Sequence, residues 1–420
     1  MDKTFRAFDP EQGLLLPPSL DDWLPPEHLA RFVAELVDEH LDLSRIHAVY
    51  TEGRGGPPYD PRLMVRILLY GYTTGVRSSR RLEAACVDVV AFRWLAAGVA
   101  PDYRAIARFR KRHLSALGHL FVQALALCQA AGMVSLGQVA LDGTKVRANA
   151  SRRKAMSYAR MSEKEKVLAE EVSALLADAE RIDKNEDKKF GKNRRGDDVE
   201  TVAAKGQAAA NEAVPKPKAQ RNFTDPDSKI MLTSDGAFHQ CYNAQAVVDA
   251  DHQVIVATEV DICAADVGNL IAMTGKTVAN TGWAPGQMLA DAGYCSADNL
   301  DAAERFTDTC GTEFFVATGR LRRGDRPPVA PRGRIPSTAT GKQRMARKLT
   351  TKKGQAAYAR RKVIVEPVFG QMHTLQNAKH LLLRGLAQAR GEWLLLAACH
   401  NLRKLHGHIG VSGLTGLAIS

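Results

Sequence analysis

The chain has 420 residues, 45% of them hydrophobic and 25% charged, with a formal net charge of +12. That length and balance suit a soluble protein with a large core, of roughly two or three domains. No apolar run of about eighteen residues is present to span a membrane, and MDKTFRAFDPEQG lacks the apolar stretch of a signal peptide.

The seven cysteines are scattered, odd in number and never spaced as CxxC, so a reducing cytoplasmic setting is expected and zinc is disfavoured. The positive charge is concentrated. Arg320 to Lys362 holds fifteen Lys or Arg and one acid, Asp325, a local balance of +14. Such a cluster favours a polyanion, nucleic acid before an anionic membrane, because no basic amphipathic anchor is evident.

Residues 1–132 read as an all-helical domain. Leu29, Phe32, Val33, Leu36, Val37 and Leu41 recur at helical spacing. GRGGPPYDP then breaks the chain before a nearly all-apolar helix from Arg62 to Tyr72. Short helices are expected near 78–87 and 90–96. Asp102 would cap a long helix from Tyr103 to about Ala131, whose first turns carry Arg104, Arg108, Arg110, Lys111 and Arg112. Short helices with one basic helix suit a DNA-reading module of helix-turn-helix kind, and equally a packing domain with a solvated basic face.

At Gly137 the period changes, and GQVALDGTKVRANAS reads as a strand carrying Asp142. An insertion at about 151–222 follows. Ser162 and Glu165 form a capping box, and Leu168, Val172, Leu175, Ala179 and Ile182 recur as heptads for a helix that packs or pairs. The polar stretches after it predict a loop or partly disordered segment.

QCYNAQAVVDADHQVIVATEVD reads as an antiparallel hairpin with Asp249 in its turn as a structural residue. A helix is expected at about 265–279, then a short buried strand ending at Asp291 and a helix at about 296–306. A strand at 313–318 precedes the basic loop Arg320–Lys353 and two helical stretches, the last over Glu392–His406. This order predicts a mixed sheet with helices on both faces, in a domain spanning 133–407 before a tail at 408–420.

Asp142 lies in an otherwise apolar strand, where a lone carboxylate is costly unless paired or metal-bound. Asp291 sits at a strand end before Ala-Gly-Tyr, although an Asp there is most often a cap or turn residue. Glu366 is the single acid of QAAYARRKVIVEPVFGQMH, with Arg360, Arg361 and Lys362 before it and His373 after. On a helix Tyr358, Arg361, Glu366 and His373 fall within roughly 140° of one another. Pro367 disfavours helix at Glu366, so a kink or a new helix start is expected there.

These stretches together resemble the DDE transposases of bacterial insertion sequences, and within them the eleven-eighty-two group. The resemblance rests on PPYDPRLMVRILLYGY, ALDGTKVRANAS, DPDSKIM, CYNAQAVVD, LADAGYCS and YARRKVIVEPVFGQMH, in that order over most of the chain. It implies an α/β fold: an RNase H-like mixed five-stranded sheet with flanking helices, preceded by an all-helical N-terminal DNA-binding domain. It also implies a catalytic and metal-holding set of Asp142, Asp291 and Glu366. Relatives carry a Tyr, an Arg and a Lys around the Glu that contact DNA; Tyr358 and Arg361 match, and His373 stands at the Lys position.

Phosphodiester chemistry suits three carboxylates on two hard cations about 4 Å apart, with Mg²⁺ expected and Mn²⁺ as a substitute. Tyr358 as a covalent nucleophile is disfavoured. Lys145, Arg147, Lys362 and the basic helix (Arg104, Arg108, Arg112) are the further candidate DNA contacts. The expected partners are double-stranded DNA, as terminal inverted repeats and target, and a second copy of the chain on that DNA, in the bacterial cytoplasm at the nucleoid. Two other readings stay open: a catalytically inactive domesticated regulator, and a Mg²⁺-dependent nuclease without strand transfer.

Overall fold

A computed structural model describes residues 19–50, 57–151, 154–190, 220–319 and 333–417, with the side chains of 178–180 and 182–190 outside that description. Two compact units are formed, one from 1–149 with 228–420 and one from 150–227.

The first unit opens with helices α1 (Leu29–Glu35), α2 (Ser44–His47), α3 (Pro61–Thr74), α4 (Ser79–Asp88), α5 (Val90–Leu95), α6 (Tyr103–Arg112) and α7 (Leu114–Ala130). Local chemistry sets their ends. Asp60 caps α3 ahead of Pro61, and Gly75 closes that helix with φ 83°. Asp102 accepts from the amides of Arg104 and Ala105 to start α6.

The single long helix expected from Tyr103 breaks at His113. Its ring is buried against Phe109, with centroids 4.6 Å apart, and Nε2 meets the Tyr50 hydroxyl at 3.1 Å. Neither Pro nor Gly marks this break in the sequence. Arg104, Arg108, Lys111 and Arg112 are exposed on α6, whereas Arg110 is buried and donates to the Tyr72 hydroxyl and the Arg77 carbonyl.

The second unit comprises β2 (Ala155–Ser157), α8 (Tyr158–Phe190) and β3 (Gln220–Asn222), with β2 and β3 antiparallel. Helix α8 begins at Tyr158, so Ser162 lies within it and does not cap it. The helix also runs on through DKNEDKKF, which sequence reading gave to a loop; residues 191–219 lie outside the described residues. The heptad residues Leu168, Val172 and Leu175 are exposed.

The remaining elements are β1 (Gln138–Arg147), β4 (Lys229–Leu232), β5 (Phe238–Asp249), β6 (Ile255–Asp261), α9 (Leu270–Thr281), β7 (Gln287–Ala290), α10 (Ala297–Cys310), β8 (Glu313–Val316), α11 (Gly341–Thr350), α12 (Lys352–Thr374) and α13 (Leu386–Ile409). Among the described residues the sheet has six strands where five were expected. Its order is β4-β5-β1-β7-β8, with β6 sharing the β4 side of β5. β5 is antiparallel to β1, β4 and β6; β7 is parallel to β1 and β8. The sixth strand is the short Lys229–Leu232, which pairs the start of β5. Buried apolar residues of β1, β5, β7 and β8 build the core under α12, while α13 packs along α7, α3 and β6.

Two departures touch the basic region. Residues 341–350 form a helix, α11, capped by Thr340 and Gln343, where a loop was expected; 320–332 lie outside the described residues. Helix α12 also runs unbroken through Pro367. A proline lacks the N–H that would meet the carbonyl four residues back. Here Gln253 Nε2 donates to that Val363 carbonyl at 3.1 Å, so the helix continues without an unsatisfied acceptor.

Candidate active site

β1 and β7 lie side by side, with Leu141 opposite Ala290. The next residue on each strand is an acid, so Asp142 and Asp291 emerge as neighbours at the end of β7. Asp291 starts a 3-10 turn in which its Oδ1 accepts from the Gly293 amide at 2.7 Å. Asp142 Oδ1 accepts from the Gly143 amide at 2.9 Å, and its Oδ2 accepts from Arg361 Nη1 at 2.9 Å.

Burial pushes the Asp142 carboxyl above its ordinary range, Arg361 opposes that, and nearby Asp291 adds to the rise. The Arg361 guanidinium is buried on α12 and held charged by Asp142, Tyr358 and Asp291. Tyr358 stands on the same helix face beside Arg361, its phenol pushed up mainly by burial. One patch therefore gathers Asp142, Asp291, Arg361 and Tyr358.

Glu366 is not in it. Five residues of helix turn it about 140° from Arg361, and its side chain is exposed. The break or new helix start that the sequence suggested at Pro367 is not seen, and the continuous helix leaves Glu366 on the exposed side. Among the described residues no three of His, Cys, Asp and Glu come together in a group that would hold a metal ion. The three-acid convergence expected from the sequence is thus a two-acid convergence here.

Other candidates are spread out. Lys145 lies three residues beyond Asp142, and strand alternation puts it on the opposite face of β1, where Nζ donates to Asp266 at 3.1 Å. Arg147 is exposed and pairs with Asp235 at 2.6 Å. Lys362 is exposed. His373 is half-buried, its pKa lowered by that burial, and its Nε2 has no partner among the described residues. A neutral imidazole there cannot supply the charge of the expected Lys.

Sequence reading missed Asp266, Asn243, Gln245 and Tyr294. Asp266 Oδ1 accepts from Asn243 Nδ2 at 2.7 Å and Gln245 Nε2 at 2.9 Å, and the buried Tyr294 hydroxyl donates to Gln245 Oε1. The legible trace of this cluster is a pair of glycines. A Cβ on Gly143 would lie 2.9 Å from Asp266 Oδ1 and 3.1 Å from Asn243 Oδ1; one on Gly293 would lie 2.9 Å from Asp291 Oδ1.

Two family models match the chain, a transposase domain over residues 18–112 and a transposase DDE domain over residues 334–406. No curated protein and no solved structure matches it. The first match covers the amino-terminal helices and the second covers the helix that carries Tyr358, Arg361 and Glu366; the chain is a DDE transposase of an insertion sequence, an enzyme that acts on DNA.

Proposed function

We propose that this transposase, a member of the eleven-eighty-two group, binds the terminal inverted repeats of its element and carries out hydrolysis and strand transfer. In this reading Asp142, Asp291 and Glu366 hold two Mg²⁺ ions, with Mn²⁺ able to substitute. The observation that carries it is the β1–β7 register, which sets Asp142 beside Asp291 from distant parts of the chain. The strand order, a hairpin followed by crossover-connected parallel strands, supports an RNase H-like core over 133–407 with the insertion at about 151–222 and a tail at 408–420.

The donors fit a hard divalent cation. They are carboxylate oxygens with no thiol or imidazole among them, and Asp291 stands near enough to Asp142 to add to the rise of its carboxyl against the pull of Arg361. When bound, such ions supply an activated water and stabilise the leaving oxygen. The chain's own groups do the rest. Arg361 keeps Asp142 in place and has further N–H groups for a phosphate, with Tyr358 packed beside it. The exposed cations Arg104, Arg108, Arg112, Arg147 and Lys362 contact the DNA backbone; Lys145 and His373 contribute least, one paired behind β1 and the other neutral. Glu366 is exposed about 140° round α12 from Arg361, so its place in this set rests on the sequence resemblance and not on the geometry. Two DNA ends have to meet, so the working form is a homodimer on DNA at the nucleoid, with residues 1–132 reading the ends.

The exposure of Glu366 favours one other reading, a DNA-binding regulator whose core is silent. Purified protein, supercoiled donor plasmid and Mg²⁺ separate the two. Joined products support the transposition chemistry, binding without nicking supports the regulator, and nicking without joining points to a nuclease. Asp291→Ala should cut cleavage by about 10³-fold or more while end binding persists; cleavage that survives this change removes Asp291 from the acid set.

A further inference from the structure

Behind the acids, on the other face of β1, a polar chain crosses the strand. It starts at Tyr294, three residues after Asp291, whose hydroxyl donates to Gln245 Oε1 on β5. β5 lies two strands from β7, with β1 between them. Gln245 Nε2 donates to Asp266 Oδ1 at 2.9 Å and to Asn243 Oδ1 at 3.0 Å, and Lys145 Nζ closes the chain on Asp266. It passes β1 where Gly143 has no side chain, immediately after Asp142. A Cβ there would run into both Asp266 and Asn243.

Asp266 is within reach of the second acid's turn as well. Its Oδ2 lies 3.4 Å from where a Gly293 Cβ would stand, the same point that Asp291 Oδ1 approaches at 2.9 Å. The space beside Gly143 is the one this chain of polar groups occupies, whereas at Gly293 the close neighbour is Asp291 Oδ1, with Asp266 Oδ2 at ordinary contact distance behind it. Neither glycine has a positive φ, so backbone conformation does not require them.

We propose that Tyr294, Gln245 and Asp266 form a brace that crosses β1 at Gly143 and fixes the Asp291 turn against the Asp142 strand, making them positioning residues for the pair of acids. The inference rests on the reading of Asp142 and Asp291 as cation-holding groups. Partners that orient metal-holding side chains typically account for about 10–100-fold in metal affinity. The brace has that role here: it holds the separation of two carboxylates that would otherwise repel each other apart.

The test is Mn²⁺ binding to the full chain without DNA, followed by electron paramagnetic resonance of free Mn²⁺. Tyr294→Phe removes one hydroxyl and should weaken binding about tenfold, as should Asp266→Asn, with end-DNA affinity in Ca²⁺ within about twofold of the parent. Thr73→Val is the control: it removes a comparably buried bond, from the hydroxyl to the Leu69 carbonyl at 2.7 Å, within α3 and away from the sheet that carries the acids. Mn²⁺ affinity unchanged in Tyr294→Phe overturns the brace. So does an equal loss in Thr73→Val, which would mean general loosening of the core. Complete loss in Asp266→Asn would make Asp266 a ligand and overturn it too. Undiminished binding in Asp142→Asn would instead sink the underlying reading of the acids, a separate result.

Discussion

His400 on α13 shows how much one buried side chain can impose. It is 2% exposed and donates from Nε2 to the Gln253 carbonyl at 3.0 Å, and its burial holds it neutral. Burial, with Lys404 and Arg403 nearby, depresses its pKa to about 4, while the bond to Gln253 pulls the other way. The unfolded chain takes up this proton near the ordinary value of 6.5 and the folded one does not, so stability is lost as pH falls from 6.5 toward 4. The loss from this site alone is ~3 kcal/mol over that window. His400→Gln keeps a donor and cannot charge; its denaturant midpoint should fall less than the parent's between pH 6.5 and 4. Parallel declines would mean that another group titrates. His400 sits in a run read only as an apolar helix, and nothing in its spacing announced the contact. Asp142 and Asp291 were legible for the opposite reason: a carboxylate in an apolar strand, or at a strand end before Ala-Gly, demands an explanation. Asp266 follows the unpatterned Ile-Cys-Ala-Ala, and only the glycines at 143 and 293 hint at it.

At the scale of elements, hydrophobic period and caps located α3, α10, β1 and the β5–β6 hairpin to within a few residues, because each is bounded by its own local signals. Helix α12 was legible in content and not in shape. Its continuity through Pro367 goes with Gln253, which is more than a hundred residues away in sequence and donates to the Val363 carbonyl that the proline leaves free. Gln253 itself sits at φ 58°, an unusual conformation for its type, and also accepts from Lys404 Nζ at 2.9 Å. Losing the donor hands the surface-exposed Val363 carbonyl to water, so Gln253→Ala should cost about 0.5–1.5 kcal/mol. In the Gln253→Ala background Pro367→Ala restores an N–H to that carbonyl, and part of the loss should return. A double-mutant cycle by urea unfolding reads the coupling directly. Additive effects would show that the carbonyl does not depend on Gln253 and that the continuity of α12 has another cause.

At the scale of the whole molecule, strand and helix order made the sheet legible, whereas the tie between its helices and the amino-terminal ones was not. That tie includes a buried ion pair, Arg77 with Glu392, at 3.1 Å and at most 2% exposed. Glu392 also accepts from the amides of Leu382 and Leu383. The same limit applies to charge. Composition counts fifteen cations between Arg320 and Lys362, yet folding spends several of them internally. Arg344 makes a two-pronged pair with Glu304, and Lys348 and Lys353 both reach Glu313, while Arg361 is held by Asp142. Arg360 and Lys362 are exposed on α12 and have no acid partner among the described residues. Each phosphate neutralised on DNA steepens the salt dependence of binding by about 0.9 in log-log slope. Arg360→Gln and Lys362→Gln should therefore each flatten the slope for end DNA by about one. Arg344→Gln should leave it nearly unchanged, because that guanidinium is already matched by a carboxylate. Titrations at several KCl concentrations measure this. Equal flattening in all three variants would mean that the α11 ion pairs open when DNA binds, and that the charge counted along the sequence is all available to the partner.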